Sequence, residues 1–561
     1  MPTADIQATV DAIAAQQTSN EFGTARYALL FRPGTYGTPA QPLIIPVGYY
    51  TQVAGLGASP TDVTINGKVN VYNQCLAPDN CIALTNFWRS LSNLTIAVAG
   101  QSGCQSGTDF WAVSQAAPMR RVNITGGNLS LMDYCSAGPQ YASGGFIADS
   151  AFSGGTVING SQQQFLVRDS VLDGWTNGVW NQVFAGTVGA PPQSFPTPPY
   201  TTLPTDPVSR EAPFLYVDDA GHYRVFVPDV RRQAVGTTWQ NGPAAGHSLP
   251  LTDFYVATPA ADAKDLNVAL ARGKNILFTP GIYHIDRTLQ VKRPDTILLG
   301  LGMATLVAEQ GVDILHVANV PGVEITGLIF DAGAQNSRVL LRVGDAHRGP
   351  HGHGHPGSDP SDPTLLADVF FRIGGPHVGK ATVSLQVDAD DVILDDIWAW
   401  RADHGSGVGW TSNTADTGVV VNGDRVTATG LFVEHYQKYD VIWNGEYGST
   451  IMFQNEMPYD PPSQEAWRSG PVLGYAAYKV ADHVRHHEAW GLGSYCYFNV
   501  DPTIHASRAF EVPVTADVTL HDILDLSITN HGTIDHVVND YGPPTDANTT
   551  PNYVVSYPPL S

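Results

Sequence analysis

The chain predicts an all-β fold built as two tandem parallel β-helices lying side by side, and three observations predict it. The first is a repeat: "LFRPGTY" at Leu30–Tyr36 returns as "LFTPGIY" at Leu277–Tyr283. Each copy follows a short helix-like segment, and each precedes a Gly-Leu-Gly, at Gly55-Leu56-Gly57 and Gly300-Leu301-Gly302. Agreement over several separated motifs marks two homologous modules. The second is texture. Runs such as "VEITGLIFDAG" and "TGVVVNGDRVTATGLFVEHY" hold β-branched stretches of a few residues broken by Gly, Asn or Asp. They recur at about one coil of a solenoid, and no long amphipathic helix follows each module's opening segment. The third is composition: 56 Gly, 40 Pro and only 14% charged residues favour turns over solvated helices.

A β-sandwich is the rival architecture. It would place Asn-Gly turns between paired strands, but Asn422-Gly423 and Asn444-Gly445 sit inside longer coils. The modules are expected at 1–188 and 249–561. Between them, 189–248 holds a proline-dense stretch, Gly189 to Phe214, expected to lack regular structure, followed by a strand pair.

Net charge is −23, which argues against a nucleic-acid or anionic-membrane partner and for a neutral substrate. No apolar run is long enough to span a bilayer. Five cysteines leave at least one unpaired; Cys75 and Cys81 are close enough for a small-loop disulfide, which suits a secreted chain. The N-terminus shows no signal peptide, so a mature secreted form with its signal removed is expected. A monomer without cofactor or metal is expected.

The chemistry centres on "IMFQNEMPYDPP", 451–462. A strand-like run ends at Glu456 and meets a loop stiffened by Pro458, Pro461 and Pro462. Glu434 lies 22 residues earlier, about one coil, so the two glutamates are expected on successive rungs about 4.8 Å apart. Like charges that close hold a proton on one partner, as a general acid requires. Trp398, Trp400, Trp443, Tyr447 and Tyr459 offer ring faces for sugars, and Asp403 and His404 stand beside them in sequence. Glu446, in a turn between the glutamates, is the competing carboxylate. The bland reading of the pair is two solvated turn residues. His347, His351, His353 and His355 read as a polar surface loop before they read as a metal site. Asp388, Asp390, Asp391, Asp395 and Asp396 read as turn residues between coils.

"VIWNGEYGSTIMFQNEMPYDPP", "SQQQFLVRDS", "GVWNQVFAGTVGAP", "DVFFRIGG" and the doubled "LFxPGxY" together resemble glycoside hydrolase family 55 across nearly the whole chain. The resemblance implies right-handed helices, an inverting β-1,3-glucanase acting from chain ends or internally, and a polysaccharide bound in a cleft between the modules. It implies Glu456 as general acid and Glu434 in the polar network around the attacking water. It implies a water-holding glutamine at Gln163 or Gln164, and a serine for which Ser170 is the candidate. A non-catalytic glycan-binding β-helix and a polysaccharide lyase are the alternatives. The first needs aromatics but no paired carboxylates; the second needs calcium-binding Asp or a basic cleft.

Overall fold

Short β-branched runs cannot bury both faces alone, so they stack rung upon rung. The computed structural model describes residues 2–136, 141–176, 178–345 and 357–559, and the histidines at 347–355 lie outside them. The chain forms two compact units, Met1–Phe254 with Gly300–Met303, and Tyr255–Leu299 with Ala304–Ser561.

The first unit opens with helix Thr3–Gln17, which buries Ile6, Val10 and Ala14. A parallel ladder then runs from Tyr27–Phe31 through Thr51–Gly55, Arg89–Val98, Met119–Thr125, Gly145–Ala148, Gln164–Arg168 and Asn181–Ala185 to Tyr200–Leu203. That last strand corrects the expectation that the whole proline-dense stretch is irregular. None of the stretch's prolines falls within 200–203, so Tyr-Thr-Thr-Leu keeps every N–H for pairing, and Asp206–Ser209 further along also pairs, antiparallel to Arg231–Ala234. Strands Phe214–Val217, Tyr223–Pro228 and Gly246–Pro250 follow as an antiparallel sheet.

The second unit opens with helix Ala263–Ala271, capped where the Asp265 N–H donates to the Asp262 side chain. One parallel sheet carries Ile297–Ala308, Glu324–Asp331, Thr364–Ile373, Val392–Arg401, Thr427–Glu434, Gly448–Glu456, His487–Cys496 and Val518–Ser527 in chain order. A second runs through Ser337–Val343, Ala381–Val387, Ala415–Val421 and Val441–Trp443. Aliphatic side chains from both fill the interior. Both units are parallel β-helices.

Each long strand of the second unit turns a corner at a left-handed residue, and these residues stack in one column. From Glu324–Asp331 onward they are Gly327, Asp368, Asp396, Gly430, Met452, Gly491 and Asp522, with φ between 53° and 71°. Gly and Asp tolerate this region best, which accounts for Asp396. Of the other acids in that stretch, Arg342 reaches Asp388 and Arg425 reaches Asp390 and Asp391, while Asp395 is buried inside strand Val392–Arg401 and not in a turn.

The Asn-Gly pairs are stacked coil turns, not hairpins. Asn444 donates to Asn422 (2.8 Å), and a Cβ at Gly445 would meet the Gly423 carbonyl at 1.8 Å. The doubled motif builds the same local packing twice. Phe31 and Tyr36 meet edge to face at 4.9 Å, and Phe278 and Tyr283 do so at 5.1 Å.

Candidate active site

One row of outward-facing positions crosses five successive strands of the second unit: Arg372, Trp400, Glu434, Glu456 and Tyr495. Parallel pairing without a register shift produces it, because alternate residues Val433 and Phe453 point into the core. Glu434 is 3% exposed, so it is no solvated turn residue. Its Oε2 accepts the Trp398 indole N–H at 2.8 Å. Glu456 ends its strand and stays partly open. It accepts the Tyr459 hydroxyl, and His435 Nε2 lies 3.7 Å from its Oε2.

Burial raises the Glu434 carboxyl well above its ordinary pKa, and the charges of Glu456, Asp403 and Asp440 add to the rise. Glu456 is also raised by burial, and Asp403 adds to it, while the His435 charge and the Tyr459 hydrogen bond hold it back. The pair therefore keeps a proton at pH values where an ordinary carboxyl has lost it, and titrates as a unit. Asp403 behaves oppositely. Burial works against its ionisation, but the His404 hydrogen bond (2.9 Å) and the His435 charge hold it at about 2. One acid of the group is thus a fixed anion while two share a proton.

The loop after Glu456 is pinned as well as stiff. Arg401 makes a two-pronged contact to Asp460, both at 2.8 Å, and donates to the carbonyls of Asn413 and His435. Tyr459 meets His435 edge to face at 4.4 Å, and the His435 Nδ1 faces the Met457 carbonyl at 3.2 Å. These contacts fix the direction from which Glu456 presents its proton. His435, Arg401 and Asp460 were not among the expected residues. The adjacency "EHY" was the one available sign for His435; the Arg401–Asp460 pair spans 59 positions and left none.

The structure brings Glu434, Glu456, Trp398, Trp400, His404 and Tyr459 together. It revises three of the expected sugar-stacking rings. Trp443 is fully buried in the interior, on the other sheet, stacked on Tyr478 and meeting His487 edge-on. Trp398 and Trp400 do sit on the outer face. They stack on one another at 5.2 Å and are each 1% exposed, so they position Glu434 and His404 and present no free ring. Glu446 and Tyr447 lie at the opposite end of the strand from Glu456.

In the first unit, Gln164 opens strand Gln164–Arg168 opposite Asn181 and is fully buried; Gln163 precedes it at 9% exposure. Gln162 is a structural bracket, donating to the carbonyls of Val113 and Leu131. Ser170 is committed too: it donates to the Arg168 carbonyl and accepts from Ser150 N–H in a stacked serine ladder. The Ser161 hydroxyl, beside the glutamines, is buried with no partner among the described residues. Among cysteines, Cys75–Cys81 and Cys104–Cys135 are bonded and Cys496 is free and buried.

Residues 254–456 match the LAM55 pectate lyase-like domain family. Over 557 residues, 99% of this chain and 88% of the relative, the sequence is 50% identical to an exo-β-1,3-glucanase of Streptomyces sp. SirexAA-E. The solved structure of sacteLam55A from that organism superposes with a TM-score of 0.92 over 99% of this chain and 96% of that one, at 50% identity. A glutamate-to-alanine variant of sacteLam55A in complex with glucose superposes at 0.91 over the same shares, at 49% identity. With this identity along the whole chain, the protein belongs to glycoside hydrolase family 55, the β-1,3-glucanase family.

Proposed function

We propose that the protein hydrolyses β-1,3-glucan from chain ends with inversion at the anomeric carbon, and that Glu456 is the general acid. The observation that carries this is the placement of Glu456: a partly open carboxyl at a strand end, raised by burial, oriented by Tyr459 and paired in register with Glu434. A protonated carboxyl fixed in this way can deliver its proton to the departing glycosidic oxygen along one direction. Inversion needs a water on the opposite face of the sugar, with acid and base roughly 6.5–9.5 Å apart. Adjacent rungs stand only about 4.8 Å apart, so Glu434 is too close to be that base. It keeps the shared proton on the pair and orients its neighbour.

The family resemblance assigns the attacking water to Gln163 or Gln164, while Ser170 is held in its own ladder by the Arg168 carbonyl and the Ser150 N–H. Two disulfides fit an oxidising compartment, so secretion is part of the proposal, as is a monomeric state. No helix among the described residues is long and apolar enough to cross a membrane. The test is time-resolved NMR of laminarin digestion. Glucose appearing first as the α-anomer supports the reading. The β-anomer first, or no reducing sugar, contradicts it.

A further inference from the structure

The strand that ends at Glu456 begins at Gly448, and its starting end carries a second set of features that the catalytic reading does not use. Tyr447 is 58% exposed and sits at φ 57°, a conformation that a bulky residue adopts only when its surroundings impose it. Its ring lies on His486 at 4.4 Å and 15°. That histidine is locked in turn by Glu446, which accepts the backbone N–H groups of Arg485 and His486 and faces the His486 Nδ1 at 3.4 Å. Asp517 stands 3.9 Å from the other ring nitrogen. Glu446 is therefore a bracket for an exposed aromatic platform. The histidine-rich stretch around 483–487 supplies that platform's underside.

Beside the platform lies a groove of about 390 Å³, within the range of small-molecule sites. Its floor is a row of outward positions in register, Ser449, Glu488 and Thr519. They offer hydroxyl and carboxylate groups at successive rungs about 4.8 Å apart, close to the length of one sugar ring. The next row along the same face holds Trp490 stacked on His521 at 3.9 Å.

We propose that this groove is a second glycan-binding site, which holds a stretch of neutral β-glucan away from the catalytic carboxyls. The Tyr447 ring takes the apolar face of a sugar, and Ser449, Glu488 and Thr519 take its hydroxyls. The carboxylates of Glu488 and Asp517 line the groove, accept from sugar hydroxyls and repel anionic glycans, which sets the substrate class. Nine residues, roughly 30 Å of strand bent at the Met452 corner, separate Tyr447 from Glu456, so a long chain engages both ends and a short one only the active site. This inference rests on the β-glucan reading above.

The experiment compares laminarin with laminaritriose as substrates for wild type, Tyr447→Ala and Tyr447→Phe. Loss of the platform is expected to raise KM on laminarin by about tenfold at unchanged kcat. Laminaritriose kinetics should not move, and Tyr447→Phe should behave as wild type because it keeps the ring. An unchanged laminarin KM in Tyr447→Ala overturns the second site. Equal losses on both substrates also overturn it, since the effect would then run through the fold or the catalytic carboxyls. Failure of wild type to hydrolyse either glucan would instead overturn the hydrolase reading, and this one with it.

Discussion

Glu434 and Glu456 are register partners on adjacent parallel strands, yet their carboxyls are held by different donors. The Trp398 indole grips Glu434 in a buried position, and the Tyr459 hydroxyl grips Glu456 at the open strand end. One shared proton and two unlike environments set the pH behaviour of the site.

Replacing Glu434 with Gln removes one member of the coupled pair. The last proton on the pair is hard to lose because its loss leaves two adjacent anions. With a neutral amide at 434 that repulsion is gone, so Glu456 ionises at lower pH. The basic limb of the kcat/KM profile should shift downward, together with a loss of activity. An unshifted limb would mean that the two carboxyls do not share a proton.

Tyr459→Phe should move the same limb the other way. A hydroxyl donated to a carboxylate favours its charged form, and Tyr459 holds Glu456 back from a higher pKa. Without it Glu456 keeps its proton to higher pH. Opposite shifts in the two variants, read from pH–rate profiles, check both assignments at once. Shifts of one sign would contradict them.

Asp109, in the first unit, gives a stability prediction. Burial pushes its carboxyl up to about 8, against the Val69 N–H it accepts at 2.7 Å and the Lys68 charge. Its ordinary value is 3.8. Between those values the folded state binds the proton and the unfolded state does not. The contribution is fully present below the unfolded value and is lost as pH rises, by about 1.4 kcal/mol per pH unit. Asp109→Asn keeps the shape and cannot ionise. Its melting temperature should gain on wild type progressively from pH 5 to pH 7.5; a pH-independent difference would contradict the raised pKa.

Much of this was legible in the sequence because solenoids convert spacing into contact. The 22-residue interval between the glutamates became direct register pairing, and the doubled motif became the same edge-to-face pair in both units. What spacing does not encode is the face on which a side chain lies once a coil turns its corner. Trp443 sits on a three-residue strand of the other sheet and points inward, though its sequence neighbourhood matches that of a site residue. Trp398 and Trp400 are on the expected face, but their mutual stacking takes away the surface a sugar would need. The Arg401–Asp460 clamp joins a strand end to a loop two coils on, a long-range pairing with no local pattern.

The central claim, that Glu456 protonates the leaving group, is tested most directly by the kcat of Glu456→Gln on two substrates. General acid–base catalysis contributes typically about 10²–10⁴-fold, so turnover of laminarin should fall by that much with binding retained. A dinitrophenyl β-glucoside, whose leaving group needs no proton, should be hydrolysed at close to the wild-type rate. Near-normal laminarin turnover, or an equal loss on both substrates, would contradict the assignment.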